Sequence, residues 1–417
     1  MSPSALPRRD FLRGALGLGA FYLSGCGGNR ESRSDSPVGF DGSGKLPGTS
    51  LDDPFAAGEY LGPWKFENDN HALIGQKRQK GHDCRQSIDL AWLIEPATRL
   101  TPTEKFYIRT DFPDLLDPKV PWRVKIEGHV RETKEIPLAQ LEALAEPQGA
   151  VLLECAGNTE GLAFGLLSVA SWAGVPFSKI LELAAPTPQA KRVLISGFDE
   201  RTTTSKNSHS LPGASWIFTF DELARAKAFL ATHINGVPLP PDHGAPLRLI
   251  IPNWYGCCDI KWLNEIRFVD DDEPATLQMI EFSGRTHQDI DPEKLPKGQP
   301  VLARQFIPAT MDLAAIPVRI ERWKIGGKRA CRVLGITWGG EKPSDSLSIR
   351  FGTSEEWQPV SACVPQLPDL PFGIWCHRWQ PERKGNYTVT LKFADRSIRT
   401  RRMDTNYYAR RVRIPEV

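Results

Sequence analysis

Several kinds of chemistry are missing from this sequence of 417 residues. No two cysteines are spaced C-x-x-C, which excludes a zinc ribbon and a thioredoxin-like pair; with no C-x-x-C-H, covalent c-type haem is excluded too. The formal net charge is only +2, so bulk electrostatics points to neither nucleic acid nor an anionic membrane as a partner. The apolar stretch from Gly14 to Ser24 is too short to cross about 30 Å of hydrocarbon, which takes roughly 20 residues. A near-match to a phosphate loop, Gly39 to Gly44-Lys45, has Leu46 where Ser or Thr is required. It also lacks a strand before it and a helix after it, and it is a chance match.

What is present describes a soluble globular protein, 40% hydrophobic and 24% charged, long enough for two domains and a leader. Thirty-five prolines and 35 glycines imply many turns, hence sheet-rich or mixed structure. Twelve tryptophans supply apolar area for a core or a buried cofactor site. Arg8-Arg9-Asp10-Phe11-Leu12 reads as a twin-arginine export start, and Leu23-Ser24-Gly25-Cys26 as a lipobox whose cysteine becomes a lipid-modified N-terminus. Export in the folded state hints at a cofactor inserted beforehand. Residues 27 to about 60, rich in Gly, Ser, Asp and Pro, read as a tether. Export permits disulfides; Cys363 with Cys376 is one candidate, and the connectivity stays open.

Pro121 to Gly128 alternates with period two and predicts a strand. Leu138 to Leu144 predicts a short helix, and Phe218 to Ile234 a longer one. Val151-Leu152-Leu153 and Leu247 to Ile251 read as buried strands, the first delivering Cys155 at its end. Beyond about residue 300, Val318–Glu321, Leu347–Phe351 and Tyr387–Phe393 alternate between turns, which predicts an antiparallel β-sandwich. The basic stretch holding Arg396, Arg399, Arg401, Arg402, Arg410, Arg411 and Arg413 reads as a solvated edge strand.

Glu154-Cys155-Ala156-Gly157-Asn158 is the chemical centre. A cysteine at a strand end followed by small residues leaves its sulfur open to a bulky ligand, and thiolate is a soft donor suited to a redox metal. Taken alone, such a cysteine is more often a small buried hydrophobe. Its company changes that reading. Phe106-Tyr107-Ile108-Arg109-Thr110-Asp111, Cys155 to Asn158, Ala173-Gly174-Val175-Pro176 and Gly197-Phe198-Asp199 appear in that order. They are followed by Asn235-Gly236-Val237-Pro238-Leu239-Pro240-Pro241-Asp242-His243-Gly244-Ala245-Pro246-Leu247-Arg248 and Lys261-Trp262-Leu263.

This series resembles the sulfite oxidase family from about residue 95 to 285, and the later strands resemble its C-terminal dimerisation domain. The fold class implied is α+β: a mixed α/β molybdopterin-binding domain at 91–290, then an immunoglobulin-like antiparallel β-sandwich at 300–417. A signal at 1–26 and a tether with N-terminal extension at 27–90 precede them. The resemblance makes Cys155 the protein ligand to one molybdenum carried by molybdopterin. It places Tyr107, Ile108, Arg109, Thr110, Asp111, Asp199, His243, Arg248, Asp259, Ile260 and Lys261 at cofactor-contacting positions. Arg and Lys suit a buried pterin phosphate because their hydrogen bonds to it are charge-assisted. Arg109 is the candidate to face both metal and an anionic substrate, and Arg401 is matched to an arginine that the C-terminal domain lends to that pocket.

Departures from the family pattern concern the substrate. The cysteine loop continues Asn158-Thr159-Glu160 where the family carries arginines, which puts an acid beside an expected dianion. The loop from Cys155 to Trp172 is shorter than in the animal enzymes and lacks their substrate-side lysine. Phe282 stands in place of an active-site tyrosine, and Asp111 and Asp259 in place of histidines. The expected function is oxygen-atom transfer on a small oxyanion or oxide, sulfite to sulfate in the first instance. With no haem motif, electrons pass to an external carrier such as a cytochrome c. The rival readings are an S-oxide or N-oxide reductase on the same fold and a cofactor-free envelope lipoprotein acting as a binding module. The expected location is the periplasmic or cell-envelope side, lipid-anchored at Cys26, with a homodimer left open.

Overall fold

Alternation of apolar and charged side chains sets the first sheet. In the strand Arg123–Gly128, Val124 and Ile126 are buried while Arg123 and Lys125 face solvent, the pattern of a strand with one face on the core. It runs parallel to Leu263–Val269 and antiparallel to Lys134–Pro137, and Arg192–Gly197 and Ser215–Thr219 complete five strands. The structure, a computed structural model, describes residues 53–416 apart from 68, 70–72, 114–115, 118, 199–212, 289, 291–298, 341–345, 353, 355 and 363–368. The export start, the Cys26 ending, most of the tether, Asp199 and Cys363 lie outside the described residues.

A second sheet orders Val237–Pro238, Phe229–Ile234, Leu167–Pro176 and Glu146–Glu154, with Arg248–Ile250 also paired to Phe229–Ile234. From Val151 to Glu154 every residue is buried, which is why this part reads as an unbroken apolar run. The strand presents Cys155 at its end, as expected. Helix is scarce. The α-helices among the described residues are Leu138–Glu142, Phe177–Ala184, Phe220–Arg225 and Leu277–Phe282.

The helix expected over Phe218 to Ile234 is instead the end of one strand, a short helix and another strand. Thr219 and Glu222 form a reciprocal cap: the Thr219 hydroxyl accepts from Glu222 N at 3.1 Å and the Glu222 carboxylate from Thr219 N at 2.7 Å. That fixes the helix start after Thr219. Lys227, at φ 53°, then turns the chain out of the helix. The apolar run Phe229–Ile234 crosses between Leu167–Pro176 and Arg248–Ile250, where both its faces are covered.

The residues after 300 form two antiparallel sheets. One orders Glu59–Trp64, Ala314–Ile325, Lys328–Trp338, Phe372–Trp379 and Ser361–Ala362; the other Gln358–Pro359, Leu347–Phe351, Gly385–Phe393 and Arg410–Ile414. Ile316, Ile320, Val333, Ile349, Leu391 and Val412 from both sheets share one core cluster. The chain joins this region early, since Phe55 is buried against Trp323 and Asp53 pairs with Arg332 at 3.3 Å. The basic stretch divides. Arg411 and Arg413 are exposed on the edge strand as expected, whereas Arg401 and Arg410 are buried. Arg410 bonds Asp69 and lies over the Phe66 ring at 4.8 Å. Cys376 is disulfide-bonded; Cys84, Cys155, Cys257, Cys258 and Cys331 are free. Among the described residues, no helix is long and apolar enough to cross a membrane.

Candidate active site around Cys155

Backbone hydrogen bonds fold the chain sharply after Glu154. Cys155 N donates to Leu166 O at 3.0 Å, Asn158 N to Cys155 O at 2.9 Å, and Gly157 N to the Cys155 sulfur at 3.4 Å. Asn158 Oδ1 then accepts from Leu166 N at 3.1 Å. The neighbouring backbone comes close: Gly256 N donates to Glu154 O at 2.7 Å, and a Cβ on Gly256 would meet the Tyr107 hydroxyl at 2.7 Å. Any side chain there would have to displace the buried Tyr107 hydroxyl. Cys155 lies in the wall of a cavity of about 460 Å³. Burial pushes its thiol up, opposed by Arg109, the Gly157 N–H and Arg285.

The strand pair Arg85–Gln86 and Ile108–Arg109 brings Tyr107, Arg109, Thr110 and Arg85 to this cavity. Arg109 Nη1 donates to His82 O. Thr110 sits at φ 77°, a genuine outlier for a β-branched residue of the sort that clusters at functional sites. Lys261 holds the strained segment. Its ammonium donates to Thr110 O at 2.8 Å, Asp242 O at 2.6 Å and Arg109 O at 3.4 Å, so its three donors are all engaged. Burial and the nearby Arg248 lower its pKa to about 7.

Other polar atoms in this wall are not satisfied. Arg248 donates from Nη1 to His243 O at 3.3 Å, but its buried Nε has no partner among the described residues. Asp259 accepts from Ile251 N at 2.8 Å through Oδ1 while its buried Oδ2 is also without a partner. Burial raises Asp259 to about 7 against the pull of Arg248. Just behind, His243 contacts Thr103 O through Nε2 at 3.2 Å, leaving Nδ1 unbonded, and burial lowers its pKa to about 3. Buried polar groups are ordinarily paired. A guanidinium N–H and a carboxyl oxygen left bare in one cavity wall fit a ligand rich in anionic and heterocyclic hydrogen-bonding atoms.

Of the residues singled out in the sequence, Tyr107, Arg109, Thr110, Cys155, Arg248, Asp259 and Lys261 line the cavity together. Ile108 and Ile260 are buried in the packing behind it, Ile260 O accepting from Leu249 N at 2.8 Å. Asp111 also stands back, bonding Gly81 N and pairing with Lys77 at 3.4 Å. Arg401 does not line the cavity. It lies behind the cysteine loop, its Nη2 donating to Ala156 O at 2.7 Å and its guanidinium 4.7 Å from the Tyr255 ring centroid. Glu160 is not an acid in the pocket, because it is exposed and pairs with Arg411 at 3.0 Å.

Sequence reasoning missed His82, Arg85, Cys257, Gln278, Glu281 and Arg285, all of which line the cavity. His82 and Arg85 carry no local pattern that would reveal them. Gln278, Glu281, Phe282 and Arg285 do: they follow the i, i+3, i+4, i+7 spacing of one helix face.

Residues 110–277 match the oxidoreductase molybdopterin binding domain. The chain is 27% identical over 322 residues to the mitochondrial sulfite oxidase of Drosophila melanogaster, covering 70% of this chain and 53% of that one. It is 34% identical over 160 residues to the protein-methionine-sulfoxide reductase catalytic subunit MsrP of Xanthomonas axonopodis pv. citri, covering 36% of this chain and 45% of that one. It thus spans about half the length of these curated relatives. The sulfane dehydrogenase SoxCD from Paracoccus pantotrophus superimposes with a TM-score of 0.57 at 16% identity, over 87% of this chain and 97% of that one. That likeness concerns the fold alone.

Proposed function

Because the chain belongs to the sulfite oxidase family of molybdopterin oxidoreductases, we propose that it binds one molybdenum through molybdopterin and Cys155 and transfers oxygen atoms to or from a small oxyanion or oxide. The carrying observation is Cys155 in the wall of a 460 Å³ cavity that Arg109, Arg248, Asp259 and Lys261 also line. Among the described residues, no group of three or more His, Cys, Asp and Glu side chains is placed to hold a metal. One thiolate beside a cofactor that supplies the other ligands fits that donor set. Bound there, the group supplies two-electron oxygen-atom exchange with water.

This chain's residues do the rest. Arg248 and Asp259 would hold the cofactor from the cavity wall, and His243 backs Arg248 through its carbonyl. Lys261 fixes the Arg109–Thr110 backbone, so that Arg109 faces the same space as Cys155. With Arg109 and Arg285 in the wall, an anion is the favoured guest, and sulfite to sulfate is the first reaction to test. The electrons leave to an external carrier such as a cytochrome c. The second reading is an S-oxide or N-oxide reductase; the 34% identity to MsrP over 160 residues favours it.

We also read the protein as exported by the twin-arginine route to the periplasmic or envelope side and anchored at Cys26. The two sheets after residue 300 are read as an immunoglobulin-like domain of the kind that forms homodimers. Molybdenum content of the purified protein is the decisive measurement, expected at one per chain. A metal-free, pterin-free native protein would replace the enzyme with a binding module. Assays with sulfite as reductant and methyl sulfoxides as oxidant, coupled to artificial carriers, separate the two enzyme readings.

A further inference from the structure

The family's arginine-bearing loop is here Thr159-Glu160, and Glu160 faces solvent beside Arg411. If the substrate is an anion, another element must supply its cation. The helix Leu277–Phe282 and the turn Ser283–Arg285 after it present Gln278, Glu281, Phe282 and Arg285 to the cavity, four positions of one helical face. A Cβ built on Gly157 would lie 3.8 Å from the Cys155 sulfur and 3.9 Å from Arg285 Nη1. Sulfur and guanidinium therefore flank the same point, and the missing side chain at 157 leaves the space between them open. The guanidinium is held over the Phe282 ring at 5.1 Å. Among the described residues it makes no ion pair, unlike Arg411 on Glu160 or Lys77 on Asp242.

We propose that Arg285 is the specificity-determining cation of the site, gripping the oxygen atoms of a tetrahedral oxyanion opposite Arg109 and in front of Cys155. Arg285 takes the place of the loop arginine from a different element. Gln278 is engaged by its hydrogen bond to Cys257 O. Glu281 lines the same wall. The inference rests on the oxygen-transfer reading for its substrate, but the anion grip itself is measurable without turnover.

The probe is sulfate, titrated calorimetrically into the molybdenum-loaded protein, alongside Michaelis constants for sulfite. Arg285→Gln is expected to weaken sulfate about tenfold, the scale of one lost charge-assisted contact. The KM for sulfite should rise in step, with kcat nearly unchanged, and Arg285→Lys should recover part of both. Sulfate affinity equal in parent and Arg285→Gln overturns the proposal, as does a parent that binds no sulfate. Arg285-dependent sulfate binding by a parent that does not oxidise sulfite supports the grip while removing the sulfite reading. Normal sulfite turnover with a KM indifferent to Arg285 keeps that reading and removes the grip.

Discussion

The cysteine loop has a front and a back that are made differently. In front, the cavity wall holds charged groups with bare atoms, Arg248 Nε and Asp259 Oδ2, and a threonine at φ 77°. Behind, the polar groups are crowded with partners, most of them from strand Lys328–Trp338 and the segment between Gly385–Phe393 and Arg410–Ile414. The fully buried Glu154 accepts from Trp338 Nε1 at 2.9 Å, the Tyr408 hydroxyl at 3.0 Å and Asn158 Nδ2 at 3.3 Å, with Arg401 Nε at 3.9 Å. Burial alone would lower Arg401, but Glu154, Tyr408 and Tyr255 hold its pKa above the ordinary value. The Tyr407 hydroxyl donates to Asn158 O at 2.5 Å. Successive side chains at a strand end point to opposite sides, so Glu154 faces back where Cys155 faces forward. The front is kept incomplete for a guest, and the back fixes the loop that receives it.

The largest expected effect breaks the front alone. Cys155→Ser replaces a soft thiolate with a poor hydroxyl donor and should abolish turnover, a loss of at least about a thousandfold. Because the substitution is nearly isosteric and touches none of the back contacts, the denaturation midpoint should stay within about 0.5 kcal/mol of the parent. Activity, molybdenum content and urea unfolding on the same preparation check this. Near-normal turnover would remove Cys155 from the chemistry.

Breaking the back should do the reverse. Glu154→Gln removes the charge facing buried Arg401, whose Nη1 already lacks a partner, and turns an acceptor into a donor among donors. Leaving a buried charge uncompensated costs about 3–5 kcal/mol. The unfolding midpoint should fall accordingly, while the folded fraction retains molybdenum. A variant as stable as the parent would show that the carboxylate is not what ties the loop to the C-terminal sheets.

That division explains what the sequence disclosed. Cys155 was legible because a buried apolar strand leads to it, and Arg248, Asp259 and Lys261 because they sit in ordered motifs. The strands Arg123–Gly128 and Gly385–Phe393 were legible from their alternation. The back was not legible. Its partners lie at 338, 401, 407 and 408, and nothing local marks Glu154 as the acceptor of a tryptophan 184 positions away. Arg401 was noticed but assigned to the wrong side of the loop, since a matched position does not say which way a guanidinium reaches. Phe218 to Ile234 misled because a short capped helix runs into a buried strand, and the joined apolar pattern imitates one longer helix.

The smallest expected effect concerns Glu160, which belongs to neither side. Its sequence position suggested an acid in the substrate pocket, and on that basis removing the charge would tighten an anion. The side chain instead pairs at 3.0 Å with Arg411, both more than half exposed. Exposed pairs contribute about 0–1 kcal/mol and are screened by salt. Glu160→Gln should therefore shift the unfolding midpoint by less than about 1 kcal/mol and leave the KM for sulfite within about twofold. Glu160→Arg should do little more, because its side chain would meet Arg411 at the surface, not the anion in the cavity. Michaelis constants at low and moderate salt decide the matter. A fall of tenfold or more in KM for either variant would place residue 160 in front of the loop after all, and would take from Arg285 the role of replacing it.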